Sequence, residues 1–264
     1  MDSQLCRQLN LMSLDQLAQY LGEDITTINS FYQEILNDTV FLDAVNTKIN
    51  QVRTLYPKGI CAHEQLDSVD WFAIQRIILY VIIRLYHPVR CLETGVFYGG
   101  NSSFILHALH KNGQGELISI DLPGQEVDQK GRHHMVGNSE YIPAGLDIGF
   151  LIPDYLKDRW TLVRGDSHQE IPLLQGSFDF YMHDSEHSYE FLKKEMSLVW
   201  DKLTPNAVVM ADDLDWSNGF FSVCDERHLY PLIITDNGKN GLRARTGIIK
   251  RDHPFHHRTD VVGR

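Results

Sequence analysis

Hydrophobic residues recur along this chain with two periods, and the change falls near residue 89. Up to residue 66 the spacing is helical. "SLDQLAQYLG" sets leucines at 14, 17 and 21 behind Ser13, which is suited to cap a helix N-terminus. "INSFYQEILNDTVFLDAVNTKINQV" continues in the same manner. "DWFAIQRIILYVIIRLYHP" is apolar on every side, which predicts a buried helix ended by Pro88. Beyond it, short apolar runs alternate with helical ones. "VRCLETG", "GELISIDL", "WTLVRGD", "FDFYMHD" and "AVVMADD" read as strands, and "LYPLIITD" and "TGIIKRD" as closing strands. The helices between them are "NSSFILHALHKN", "HQEIPLLQ" and "SYEFLKKEMSLVWDKL", the last with Pro205 beyond its end.

This alternation predicts an α/β fold with a doubly wound, mostly parallel sheet of seven strands. Residues 1–66 are expected to form a helical appendage, serving as a lid or an oligomer contact, on a core domain spanning 67–264. The stretch 122–158, with Tyr141 and Pro143, has no clear period and is read as a loop covering a substrate.

Charge narrows the partners. The chain of 264 residues carries a formal net charge of −11, so neither a nucleic-acid backbone nor an anionic membrane is an expected partner. Its longest apolar run, "IILYVII", is too short to span a bilayer, and "MDSQLCRQLN" has no targeting pattern. Cys6, Cys61, Cys91 and Cys224 are scattered and read as reduced thiols. A cytoplasmic location is the expectation.

Every predicted strand of the parallel set ends in an acid: Glu93, Asp121, Asp166, Asp184, and Asp212 with Asp213. In doubly wound sheets ligands bind beyond those strand ends. "LETGVFYGGNSS" is a strand, a glycine turn and a helix start, in which Gly95, Gly99 and Gly100 let the backbone approach a ligand. The spacing is not G-x-G-x-x-G, so a nicotinamide dinucleotide is not expected. Glu93 beside the turn suits a cationic ligand, and Asp121 is placed for ribose hydroxyls. Asp166 and Ser167 fall where an adenine edge would lie.

With these residues, about 89–250 resembles the class I S-adenosylmethionine-dependent methyltransferases, whose Rossmann-like fold carries an E-x-G-x-x-x-G turn for the methionine end of the cofactor. The cofactor set this resemblance implies is Glu93, Gly95, Gly99, Ser102, Asp121, Asp166, Ser167 and Asp184.

"FDFYMHDSEHSYE" raises a second chemistry. Asp184, Asp212 and Asp213 should meet on one rim, and three adjacent carboxylates repel unless a cation compensates. A hard divalent ion, Mg²⁺, with oxygen ligands answers this, with His187 beside it. "HDSEHSYE" followed by "ADDLDWSNGF" resembles the metal-dependent sugar O-methyltransferases of the macrocin and mycinamicin type and the cephamycin-pathway methyltransferase. That resemblance implies Asp184, Asp212 and Asp213 as ligands and His187 as general base. It departs at Asp212, where the sugar enzymes carry Glu. The implied reaction is methyl transfer from S-adenosylmethionine to a hydroxyl of a small-molecule acceptor, with the N-terminal helices as a homo-oligomer contact.

Plainer readings make Asp184 a helix cap and Asp212–Asp213 a solvated turn. His133 and His134 in "GRHHMVG" read as exposed loop residues. Two rival functions use the same residues: a metal-dependent hydrolase, which leaves the glycine turn and Asp121 without a purpose, and a non-catalytic binding module on the same fold.

Overall fold

The structure is a computed structural model that describes residues 9–11, 13–55, 73–122, 125–127, 133–135, 142, 146–238 and 241–251. Its helices on the N-terminal side are α1 (Leu14–Leu21), α2 (Ile25–Leu36), α3 (Thr39–Leu55), α4 (Ile74–Tyr86) and α5 (Gly100–Asn112). Farther on come α6 (Ser167–Leu173), α7 (Tyr189–Trp200) and α8 (Gly219–Glu226). The main sheet contains β1 (Leu9–Leu11), β2 (Arg90–Thr94), β3 (Glu116–Asp121), β6 (Trp160–Arg164), β7 (Phe178–His183), β8 (Leu203–Ala211), β9 (Leu232–Gly238) and β10 (Gly241–Lys250).

The strands lie in the order β1-β9-β10-β8-β7-β2-β3-β6. β10 runs antiparallel to both neighbours and the other pairings are parallel. The seven predicted strands are all present. The eighth, β1, corrects the all-helical reading of the N-terminal part: Leu9 pairs with Leu232 and lengthens the sheet at its edge.

Alternation along the central strands divides the core in two. Cys91, Phe180, Met182, Val208 and Met210 face one layer, packed with α1–α5. Leu92, Tyr181, Val209 and Ala211 face the other, packed with α6–α8. A sheet covered on both faces needs apolar residues at every central position, which explains the unbroken runs in these strands. α4 is buried at every residue from Ile77 to Ile83 because it is wedged among α2, α5 and the sheet. His87, at φ 47, ends it in a left-handed cap just before Pro88.

The N-terminal helices share that first core and are pinned to it. The Tyr20 hydroxyl lies 2.9 Å from the carbonyl oxygens of both Tyr230 and Ile248. Glu34 receives Arg84 and the Tyr80 hydroxyl, and Lys48 meets Asp154 at 2.7 Å. Cys91 and Cys224 are buried and in no disulfide. Among the described residues no helix is long and apolar enough to cross a membrane.

Three local features refine the expectations. Residues 146–153 form turns packed into the core, with Leu151 and Ile152 buried, and a 3-10 helix with buried Leu156 runs over Asp154–Arg159. Within the rest of 122–158, β4 (Gln125–Val127) and β5 (His133–Met135) pair antiparallel, while Tyr141 and Pro143 lie outside the described residues. Pro205 sits within β8, where the register with β7 jumps from Phe178↔Leu203 to Phe180↔Val208. A residue without an N–H is tolerated at such a bulge. Finally, α8 had no counterpart in the sequence reading.

Candidate active site

The glycine turn follows β2 and crosses close to the end of β7. Gly95 has φ 80, and a methyl group on it would overlap the carbonyl of Asp184. Asp184 N donates to Thr94 O at 2.8 Å, locking the two strand ends together. Phe97, at φ 51, and Gly99, at φ 92, complete the turn, and a methyl group on Gly99 would overlap Ile152. The ordered stretch after residue 146 braces it, with Gly149 N donating to Phe97 O at 2.8 Å and Leu151 N to Tyr98 O at 3.0 Å.

The acids here are held by the chain itself. Asp121 accepts from the backbone N–H groups of Val96 at 2.9 Å and Phe97 at 2.8 Å through Oδ2, and from Leu122 at 2.7 Å through Oδ1. Its first task is to shape the turn; two N–H donors fill Oδ2, and Oδ1 keeps one lone pair for a further donor. Glu93 is wholly buried, and its Oε2 accepts from Ser102 at 2.6 Å and Ser119 at 2.7 Å. Its Oε1 is buried with no partner. Burial pushes the Glu93 carboxyl up to about 7, with Asp121 adding to the rise and the two serines opposing it. The fully buried Ser102 therefore holds Glu93 rather than lining the cleft. The Ser167 hydroxyl likewise points inward, to Glu195. Asp166 caps α6, accepting from His168 N at 2.8 Å.

The acceptor side is built differently. His187 Nε2 lies 4.0 Å from Asp184 Oδ1 and 3.8 Å from Asp213 Oδ2. Asp184 Oδ2 accepts from Asn101 Nδ2 at 2.8 Å, and Asp212 Oδ1 from Thr246 Oγ1 at 2.6 Å. Asp213, at φ 51, pairs with Arg245. The three acids do share one rim, but each is also gripped by a neighbour. Among the described residues no group of three or more His, Cys, Asp or Glu side chains forms a ready metal cage. Their mutual strain is nonetheless clear: desolvation, then Asp212 and Asp213, push the Asp184 carboxyl well above the carboxylate range. About a third of that side chain (32%) stays open to the cleft, so the repulsion is the part of the shift that persists when the cleft is wet. A hard cation would relieve it, so the donor chemistry fits one. Burial, reinforced by His183, holds His187 near 4, against the pull of Asp212, Glu186 and Glu195. Trp216, 72% exposed, stands over this rim with its ring 6.2 Å from that of His187.

Several residues here escaped the sequence reading. Asn101, Thr246 and Arg245 each hold one of the acids. Arg76 donates from Nε to Asn101 Oδ1 at 3.2 Å and so steadies the Asp184 contact. Beneath the rim, Glu195 and His183 are both fully buried and meet at 2.5 Å. The signal for Glu195 was available: Leu192, Glu195, Met196 and Val199 follow the i, i+3, i+4, i+7 spacing of a buried helix face, with an acid on it.

Comparison with known proteins agrees with this geometry. Residues 92–214 match the family model described as a methyltransferase domain. A protein from Klebsiella pneumoniae described as a candidate O-methyltransferase superposes with TM-score 0.56 at 15% identity, covering 85% of this chain and 96% of its own. The O-methyltransferase TomG from Streptomyces achromogenes, involved in tomaymycin synthesis and solved with S-adenosylmethionine, gives 0.53 at 17% identity, covering 78% and 89%. An O-methyltransferase from Bacillus cereus solved with S-adenosylhomocysteine gives 0.50 at 15%, covering 89% and 96%. These likenesses show the class I methyltransferase fold. No curated protein matches the chain.

Proposed function

We propose that this chain, with a methyltransferase domain over residues 92–214 on the class I fold, moves a methyl group from S-adenosylmethionine to a hydroxyl of a small-molecule acceptor. The observation that carries the reading is Glu93: a wholly buried carboxylate with one unpartnered oxygen beside the glycine turn suits a cationic ligand group. The cofactor-bound neighbours from Streptomyces and Bacillus support S-adenosylmethionine as that ligand.

The chain's own residues then divide the work. Gly95 and Gly99 let the cofactor approach the backbone, and Glu93 and Asp121 hold its cationic end and ribose. Asp184, Asp212 and Asp213 would hold Mg²⁺, whose fixed charge lowers the pKa of a bound hydroxyl. His187 Nε2, facing the cleft, accepts the hydroxyl proton; the oxygen bonds to the methyl carbon as the carbon–sulfur bond breaks, and S-adenosylhomocysteine leaves. Trp216 offers the acceptor a flat apolar wall, and the N-terminal helices are a surface for self-association.

Calorimetric titration with S-adenosylmethionine, followed by a labelled-methyl screen over sugar and phenolic hydroxyls with and without chelator, tests this directly. Binding, and turnover lost on chelation and restored by Mg²⁺, are the expected results. His187→Ala should keep cofactor affinity and cut turnover by roughly 10²–10⁴-fold. A protein that ignores the cofactor, as a hydrolase would, sinks the reading.

A further inference from the structure

The Glu93 carboxylate is held by a chain of donors that begins two strands away. Glu93 on β2, Ser119 on β3 and Trp160 at the start of β6 alternate onto the same face of the sheet, the one that α5 covers. Ser119 lies directly across from Glu93 in the β2–β3 ladder, and Trp160 pairs with Leu117 two positions before it. From there the indole reaches diagonally across the strands, as an aromatic side chain can. Trp160 Nε1 is 2.9 Å from Ser119 Oγ, and Ser119 Oγ is 2.7 Å from Glu93 Oε2. Ser102 comes down from α5 to the same oxygen at 2.6 Å.

These donors run one way. An indole N–H donates and cannot accept, so Ser119 Oγ accepts from Trp160 and its single hydrogen is directed at Glu93. Two hydroxyls thereby fill Oε2, and Oε1 is the oxygen left without a partner. The serine hydrogen bonds also favour the ionised carboxylate that a cation needs, against the burial that opposes it. The same indole supports the glycine turn. A methyl group on Gly149, which has φ 70, would lie 2.5 Å from Trp160 Cη2, and Gly149 N donates to Phe97 O at 2.8 Å. One side chain thus reaches both parts of the cradle, the acid through its N–H and the turn through its ring edge.

We propose that Trp160 and Ser119 are positioning residues for cofactor binding: the indole orients the Ser119 hydroxyl, and the hydroxyl holds Glu93 so that Oε1 meets the ammonium group of S-adenosylmethionine. Both act through Glu93 and not on the cofactor itself. The role rests on Glu93 being the acid for that group, and the test separates the two.

Calorimetric titration of S-adenosylmethionine into the full chain, run as a double-mutant cycle, reads this. Ser119→Ala should weaken binding roughly 3–10-fold, and Trp160→Phe, which keeps a ring near Gly149 but no N–H, by about 2–5-fold. In a Glu93→Gln background, where no charge remains to be oriented, each change should move the affinity by less than about twofold. Losses of equal size in both backgrounds would mean general packing damage and overturn the proposal, as would unchanged affinity in a folded Ser119→Ala. In turnover the loss should fall on the KM for S-adenosylmethionine with kcat held, because the contact is the same in ground and transition states. Should Ser119→Ala not fold, the Trp160 indole N–H resonance decides, assigned in nitrogen-15 spectra by its loss in Trp160→Phe. It should shift when the wild type binds S-adenosylmethionine and again in Glu93→Gln; a resonance unmoved by both sinks the chain. If the wild type does not bind S-adenosylmethionine, the cofactor reading fails and this role with it. If it binds and only the losses in the variants are missing, the cofactor reading stands and the role alone is wrong.

Discussion

The glycine turn after β2 and the acidic rim after β7 and β8 are built from similar residues at similar strand ends, yet they handle charge in opposite ways. In the turn, Asp121 is bound by three backbone N–H groups and Glu93 by two serine hydroxyls. Charge there is answered from within the chain, and the result is a cradle with one deliberate deficit at Glu93 Oε1. On the rim, Asp184, Asp212 and Asp213 crowd one another around an imidazole. Charge is left in excess there. A carboxylate at a strand end therefore says little by itself; whether donors or other acids surround it separates a scaffold from a site that still needs a ligand.

The largest test of this contrast is Gly95→Ala. The left-handed backbone and the overlap with Asp184 O leave no room for relaxation, so a loss of about 3 kcal/mol or more is expected in urea or thermal unfolding. Near-normal stability would show that the cradle is soft.

Next is Glu93. A cationic ligand favours its ionised form, so cofactor binding at pH 6 should release about one proton, falling away by pH 8, because the free carboxyl lies at about 7. Calorimetry in buffers of different ionisation enthalpy reads this release. Glu93→Gln should abolish it and weaken binding by about 1.5–3 kcal/mol. In the free protein the folded pKa is raised, so the folded state holds a proton that the unfolded state has lost. Stability should therefore fall as pH rises from about 4.5 to about 7, and Glu93→Gln should flatten that slope.

The smallest effect has the opposite sign. Asp184→Asn keeps an oxygen for Asn101 while removing one of three repelling charges. It should stabilise the metal-free protein by about 1 kcal/mol near pH 8 as turnover falls, the exchange expected where a site is strained for function. A destabilised Asp184→Asn would mean that the rim is as self-sufficient as the turn.

Much of this was legible in the sequence because period and spacing place strand ends. Glu93, Asp121, Asp184, Asp212 and His187 all fall at or just past the carboxyl ends of β2, β3, β7 and β8 for that reason. What was not legible is the direction of a side chain within one turn of its neighbours. Asp166 caps α6 while Ser167, one residue on, turns inward to Glu195. Ser102 sits on the buried side of α5, and nothing in "GGNSS" distinguishes it from an exposed serine. Arg245 and Thr246 reach the rim from β10, which the sequence placed only as a closing strand; their contacts depend on an antiparallel register with β8 that pairs Gly247 with Ala211. β1 has three residues and was beyond any periodic signal.

That short strand has a consequence for how the molecule assembles. Leu9 needs Leu232 as its partner, and the Tyr20 hydroxyl needs the carbonyl of Ile248, 228 positions later in the chain. During vectorial synthesis β1 and α1 must wait, unpaired, until the β9–β10 hairpin has left the ribosome. Closure of so long a loop adds little to the equilibrium cost but delays the event, which makes docking of β1 and α1 a late step. Until it happens, β9 presents an open edge to any other strand in solution.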